Sequence, residues 1–457
     1  NSMSNFNVRC IARSATAVSP SSCLLEMPPS TPLVFLDSSS GRGLSAIAFG
    51  PDDAVVGRVS PAVSTSEKWP MSNVDPAQEL ERACQDENWF FDAGIPQIGV
   101  GWIGWFSFEC GHAYESFPWN APYPDSWPDY NFGRYRQALV WTPDGRVMLL
   151  YAFSDGLPDA SADALALFED VIAKAECGQV DLAPQKQKLN TEKGTTYQDG
   201  VKQLRALIAE GELFQGNLSH EMSGKFKGNA RELYISLRDE QPTELSCYWE
   251  DQSGRSLISH SPESFLSVNG TEIISRPIKG TAHREQDAQL DAKATEQLNA
   301  NEKEMAELNM IVDMTRNDLG RIATVGQVAV ENVGSVVSYP TLHHREAIIR
   351  ARWLPQTGLA KLIAATFPPA SISGAPKVRA LQAIAEIEQR SRGAYCGSLG
   401  YWLPSASPHG EFSVLIRTAC IAKGTLRLAV GAGIVWDSDP QAEWEETLLK
   451  GRYLRDE

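Results

Sequence analysis

The stretch 254–280, GRSLISHSPESFLSVNGTEIISRPIKG, constrains the fold more than any other. Asn269-Gly270 sits between two apolar runs, and an Asn-Gly pair takes up the positive backbone angles that a two-residue hairpin needs. Strands joined in this way are antiparallel neighbours. Residues 98–118, IGVGWIGWFSFECGHAYESFP, read as a glycine-rich aromatic strand pair, and 146–153, RVMLLYAF, as a further strand. Helical patterns stand apart from these runs. An amphipathic helix covers 159–176, and 197–226 reads helix, glycine turn, strand. A long helix covers 295–320, with Leu298, Met305, Leu308, Ile311 and Val312 on one face and Gly320 where a C-terminal cap belongs. The tail reads strand, GAG turn at 431–433, strand, and a helix opening at Asp439-Pro440. Strands in runs, with helices between hairpins and no repeat, predict an α+β protein rather than a βαβ array.

A chain of 457 residues suffices for two or three average domains or one large elaborated one. The polar stretch 178–196, rich in Lys and Gln, is the best linker candidate. It separates an N-terminal region, 1–180, from a second region, 190–457. A formal net charge of −16 argues against nucleic acid or an anionic membrane as partner. An anionic substrate would therefore need locally concentrated positive charge. The 8 cysteines form no CxxC pair, which suits reduced thiols and a cytoplasmic location. No apolar run approaches the roughly 18 residues of a membrane span, and no basic-then-apolar leader opens the chain.

Three groups of residues carry possible chemistry. The long helix bears Glu304 and Glu307 on one side, and the last helix bears Glu443 and Glu446 with Lys450 four residues on. Two such pairs suit one hard cation such as Mg²⁺, or two solvated helix faces. Lys279 lies between Ile278 and Gly280 in RPIKGTAHR. Desolvation and Arg276 would lower its pKa and yield a nucleophilic amine; a snorkelling surface lysine is the plainer alternative. GAGIVWD (431–437) and SISGAPKVRA (371–380) each place a tight turn beside a strand or helix, the second opening a helix whose N–H groups could meet an anion, and Cys396 in GAYCGS reads as a buried structural thiol.

Taken together, the fragments resemble the chorismate-utilising family, which includes anthranilate synthase component I, aminodeoxychorismate synthase component I, and the isochorismate and salicylate synthases. The resemblance rests on FQGNLS (214–219), SPESFL (261–266), RPIKGT (276–281), NEKEMAE (301–307), VDMTRNDLGRI (312–322), FPPASISGAPKVRA (367–380), RGAYCGSLGY (392–401), IRTA (416–419) and GAGIVWDSDPQAEWEETLLK (431–450). These stretches run in family order over about 190–452. CLLEM (23–27) and GWFSFECGHAYESFP (104–118) match more loosely.

The resemblance implies a fold like that of anthranilate synthase component I, with two antiparallel sheets packed together, helices around them and the active site between. It implies that Glu307 and Glu446 ligate Mg²⁺ and that Glu304 and Glu443 hold the metal's waters. Tyr395 and Arg417 match the grip on the enolpyruvyl carboxylate. Gly431, Gly433 and Lys450 match contacts to the ring carboxylate. Glu263 matches a general acid with a raised pKa, and His344 the catalytic histidine, with His343 beside it. Gly280 and Thr281 would supply backbone approach and a hydroxyl contact.

Two positions separate the subfamilies. Water-adding members carry a lysine base where this chain has Gln215, so the resemblance points to ammonia as nucleophile. At Lys279 anthranilate synthases carry alanine, whereas aminodeoxychorismate synthases carry this same PIKGT. The implied reaction turns chorismate and ammonia into 4-amino-4-deoxychorismate for p-aminobenzoate and folate synthesis, through a covalent lysine intermediate. Alternatives are anthranilate synthase component I and a non-catalytic tryptophan- or chorismate-binding subunit. The chain shows no glutamine amidotransferase motif, so the resemblance implies a separate glutaminase subunit. Met27 replaces a serine of tryptophan-binding members, which speaks against a retained tryptophan site. Arg276, His283 and Arg284 receive no catalytic role.

Overall fold

The computed structural model describes residues 3–456 apart from 30, 42, 62–67, 178, 179, 181, 184, 340 and 341. Among the described residues two large sheets dominate. One half of the first sheet runs Gly374–Ala375, Gln215–Lys225, Thr425–Ile434, Thr418–Ala422, Ser256–Ser261, Leu245–Glu250. Leu245–Glu250 then pairs with Leu33–Asp37 of the N-terminal region, and the sheet continues through Ser45–Phe49, Gln137–Trp141, Arg146–Ser154, Ser4–Ala17 and Glu87–Phe91. The second sheet runs Ile278–His283, Leu342–Trp353, Glu272–Arg276, Ser264–Asn269, His409–Val414, Ser398–Leu403, Gly101–Phe106, Tyr130–Tyr135, Asp53–Gly57. Pairing is antiparallel except between Ser4–Ala17 and Glu87–Phe91. The expected α+β architecture is what the chain adopts, and both sheets run without interruption across the boundary near 180–190.

Each sheet keeps one face toward the other. Val34, Ala46 and Trp249 of the first meet Ile103, Trp105 and Leu399 of the second in one buried cluster. Trp105 meets Trp249 edge-on at 5.7 Å, a geometry that adds about 0.5–1.5 kcal/mol beyond area burial. The outer faces are covered by helices. Pro76–Cys84, Glu302–Gly320, Leu359–Thr366 and Lys377–Glu388 bury residues against the second sheet, and Pro20–Glu26, Ser161–Cys177 and Ala230–Arg238 against the first. Met27 lies inside this second layer, 1% exposed, beside an Arg231 guanidinium that donates to the Leu24, Met27 and Pro28 carbonyls.

Four sequence expectations are corrected. The helix expected over 295–320 is two helices, Ala288–Ala300 and Glu302–Gly320. Asn301 leaves helical geometry (φ −76°, ψ 94°) and its side chain accepts from Glu304 N at 3.1 Å, capping the second helix. The buried Arg345 guanidinium completes the break by donating to the carbonyls of Asn301 (2.8 Å) and Leu298. We predict that Arg345→Met lowers stability by about 2–3 kcal/mol, read as a drop in urea midpoint, because those carbonyls lose a charged donor.

The GAG at 431–433 is no turn: it lies inside the continuous strand Thr425–Ile434, with Gly433 opposite Asn217 and Gly431 opposite Ser219. Residues 98–118 hold one strand, Gly101–Phe106, and a short 3₁₀ helix, Phe108–Ala113, rather than a strand pair. The described part of the expected linker is tied down: Gln187 N donates to Leu454 O at 2.7 Å and Ser223 N to Asn190 O at 2.9 Å, and a helix begins at Gly194.

Candidate active site

The site lies where the two sheets approach each other. From the first sheet come Gln215 and Gly433 on paired strands; from the second come Lys279–Thr281 and His344. The helices Glu302–Gly320 and Pro440–Gly451 bring the two carboxylate pairs. Asp439 caps the latter, its side chain accepting from Ala442 N at 2.9 Å, and Pro440 fixes the first turn. That cap sets the direction in which Glu443 and Glu446 project.

Gly433 shows how closely these parts meet. A Cβ there would stand 2.6 Å from Gln215 Nε2, 3.1 Å from Lys279 Nζ and 3.5 Å from Glu307 Oε2. Gly280 has φ +87°, and a Cβ on it would run into the Glu304 carboxylate. Both glycines keep space open between the strands and the acidic helix. Gly431 plays a similar part: its Cβ would be 2.9 Å from the Tyr395 hydroxyl, and its carbonyl accepts from Lys450 Nζ at 2.9 Å.

Lys279 Nζ sits 2.7 Å from Glu307 Oε2. Burial pulls its pKa down, but Glu307, then Glu446 and Glu263, outweigh burial and leave it raised. This corrects the expectation of a lowered pKa: the neighbours that decide are carboxylates, not Arg276. Glu263 is 5% exposed, and burial pushes its carboxyl up to about 7, against the opposing charge of Lys279. A carboxyl of that kind still carries its proton near neutrality.

Burial also pushes the Glu304 and Glu443 carboxyls up. For Glu446 burial acts upward too, yet Lys450 at 2.7 Å, with Lys279 and Lys303, brings the net shift down. Glu443 accepts from Ser438 Oγ at 2.6 Å and lies 3.8 Å from Lys303 Nζ. Among the described residues no three His, Cys, Asp or Glu side chains converge into a ready-made cation cage. Glu304 Oε2, however, is buried with no hydrogen-bond partner, an acceptor that awaits a donor or a cation.

The neighbouring histidines have different surroundings. His344 Nδ1 is 2.9 Å from Thr281 Oγ1, and burial, then the Arg417 charge, pushes the imidazole down to about 4, so it is neutral. His343 instead contacts Asp291 and Ser338, each at 2.8 Å. Only His344 therefore faces the site. Arg417 has a positive φ of 49° and a pKa lowered by burial. Its guanidinium donates to Gln241 Oε1 at 3.3 Å, and no described carboxylate forms an ion pair with it. A half-buried guanidinium with no carboxylate partner among the described residues is suited to an anionic ligand. Cys396 is buried, its thiol pushed up to about 12 by burial, as expected of a structural cysteine.

Several contributors were not singled out in the sequence. Glu109 accepts from the backbone N–H groups of Arg392 (2.7 Å) and Gly393 (3.0 Å), clamping the loop that carries Tyr395. Arg392 is held in turn by Glu388 at 2.7 Å. The Glu109 signal was present in GWFSFECGHAYESFP as an acid inside an apolar run. Lys303 stood one residue before Glu304, but only the folded chain places it near Glu443.

The profile of the chorismate binding enzymes matches residues 32–456. The chain belongs to this family. Aminodeoxychorismate synthase component 1 of Escherichia coli is 32% identical over 390 residues, 85% of this chain and 83% of that protein. Anthranilate synthase component 1 of Streptomyces coelicolor is also 32% identical, over 375 residues, 79% of this chain and 73% of that one. Among solved structures, anthranilate synthase component I from Streptococcus pneumoniae superposes with a TM-score of 0.73 at 25% identity, covering 90% of this chain and 91% of that one. The menaquinone-specific isochorismate synthase of Escherichia coli shares the fold, with a TM-score of 0.71 at 19% identity, over 99% of this chain and 95% of that one. No helix among the described residues is long and apolar enough to cross a membrane.

In this chorismate binding enzyme Gly433 offers a direct test of the crowding described above. Gly433→Ala places a methyl group against the mobile ends of Gln215 and Lys279, which can give way. We predict a rise in chorismate KM of at least about tenfold, with an unfolding midpoint close to that of the parent protein.

Proposed function

We propose that this chain is the synthase component of an aminodeoxychorismate synthase, converting chorismate and ammonia to 4-amino-4-deoxychorismate on the route to p-aminobenzoate and folate. The observation that carries the reading is Lys279. Its ammonium lies in the space that Gly433 leaves open, 2.7 Å from Glu307 and within electrostatic reach of Glu263.

The Lys279 ammonium gives a proton to solvent, and the resulting amine attacks the chorismate ring and expels the ring hydroxyl. A C–N bond forms, the C–O bond breaks, and the proton of Glu263 leaves with the hydroxyl as water. Ammonia then forms a C–N bond to the carbon that bore the hydroxyl as the bond to Lys279 Nζ breaks, restoring the lysine amine and keeping the enolpyruvyl group. Gln215 supports ammonia as the incoming nucleophile, because an amide cannot deprotonate water. Arg417 and Tyr395 would hold the enolpyruvyl carboxylate. Lys450, with the Gly431 and Gly433 backbone, would meet the ring carboxylate, and Gly280, Thr281 and neutral His344 would line the ring.

Mg²⁺ fits the donors present, since it takes one or two carboxylates and leaves positions for water and ligand, and Glu304 Oε2 is a buried unpartnered acceptor. Bound by Glu307 and Glu446, with Glu304 and Glu443 on its waters, it would supply positive charge against the ring carboxylate and relieve Glu307 of its pairing with Lys279. Ammonia would come from a separate glutaminase subunit.

A second reading, anthranilate synthase component I, is favoured by the Streptomyces coelicolor relative of equal identity. Incubation with chorismate, ¹⁵N-ammonium and Mg²⁺, followed by mass analysis, separates the readings. Labelled 4-amino-4-deoxychorismate is the expected product. Fluorescent anthranilate would overturn the assignment, and chorismate binding without turnover would favour a non-catalytic subunit.

A further inference from the structure

Two small cavities beside the site share one lining residue. The outer one is lined by Glu244, Glu346, Arg276, His344 and Ser264 among others. The inner one is lined by Ser264 and by Glu263, the acid of the proposed reaction. Ser264 is common to both. Each cavity leaves about 20 Å³ open to the centre of a water-sized molecule, enough for one occupant, which needs roughly 10–15 Å³. Neither can admit a chorismate ring.

Two further observations say what occupant suits them. Ser264 Oγ is buried and has no hydrogen-bond partner among the described residues, and the residue is 4% exposed. Its hydroxyl can accept one bond and donate another. The outer wall carries two carboxylates against one guanidinium, so its charge favours a small cation. Glu346 accepts from the Tyr339 hydroxyl at 3.2 Å through Oε2. Of the two reactants in the proposed amination, ammonia alone has the size of these cavities, and its ammonium form has the matching charge.

We infer that the outer cavity is an ammonium-binding antechamber, with Glu244 and Glu346 attracting the cation and Ser264 marking the passage to the inner cavity at Glu263. The inference rests on the amination reading and adds the place where the second substrate waits.

Steady-state kinetics with ammonium as varied substrate test it through opposite signs. Replacing both acids (E244Q with E346Q) should raise the ammonium KM roughly tenfold, leaving chorismate KM and kcat at saturating ammonium near their parent values. Removing the guanidinium (R276Q) should move ammonium KM the other way. Ammonium KM unmoved by the double substitution, or raised by both changes alike, overturns the inference and leaves the cavities to ordinary buried water. A protein that forms no aminated product defeats the amination reading instead. The site is then read without turnover, by broadening of the ¹⁵N-ammonium resonance on adding protein: broadening that the double substitution abolishes supports the antechamber, and broadening that it leaves intact, or none with the parent, refutes it.

Discussion

Lys279→Ala is expected to remove aminodeoxychorismate formation by on the order of 10³-fold or more, as loss of an attacking group does. The alanine variant should keep the fold, because Lys279 is an ammonium poised at a carboxylate and not a core packing element; buried Glu307 is left without its ammonium partner. Chorismate binding should survive, since the groups proposed to grip its carboxylates, Arg417, Tyr395 and Lys450, stand on other elements. Residual turnover should leak toward anthranilate, the product that the family resemblance links to alanine at this position. The assay is product mass and rate under saturating ammonium. A variant that aminates at the parent rate removes the covalent step from the mechanism.

Glu263→Gln is expected to lower kcat by about 10²–10⁴-fold, the usual contribution of a positioned acid. The amide retains the shape and cannot give a proton to the departing hydroxyl. The parent protein's pH profile follows from the raised pKa of this carboxyl. Burial places it at about 7, so the acid form dominates below that value and is lost as pH rises through it. At constant free ammonia, kcat/KM should therefore fall on the alkaline side of about pH 7, and the glutamine variant should lose that limb. A parent profile flat through this range, or an unchanged limb in the variant, would assign the acid role elsewhere.

Much of the fold was legible because its signals are local. The Asp439-Pro440 helix start and the strand at 146–153 each depend on a few neighbouring residues and are present, and the hairpin forms one residue later than expected, with Asn269 paired to Glu272 and Gly270 (φ +57°) opening the Gly270-Thr271 turn. The misreadings came from tertiary contacts. The periodicity over 295–320 is continuous, and only the distant Arg345 and the Asn301 cap reveal the break. Gly431 and Gly433 looked like turn residues because glycine is the usual turn former, whereas here they keep a strand smooth beside Lys279, Gln215 and Tyr395.

The same contrast holds at the site. The carboxylate pairs could be found from helical spacing, and Lys279 from its setting between Ile278 and Gly280. The protonation of Lys279 could not, because Arg276 is its neighbour in sequence and Glu307 its neighbour in space. The different surroundings of His343 and His344 likewise follow from sheet register, which opposes His344 to Thr281 and His343 to Ala282.

The central claim is that this chain aminates chorismate without breaking off its side chain, and the pyruvate yield tests it most directly. With chorismate, ammonium and Mg²⁺, chorismate consumption and pyruvate release can be followed in one vessel. The account predicts chorismate loss with almost no pyruvate. Pyruvate released in step with chorismate consumed would contradict it and make the chain an anthranilate-type lyase.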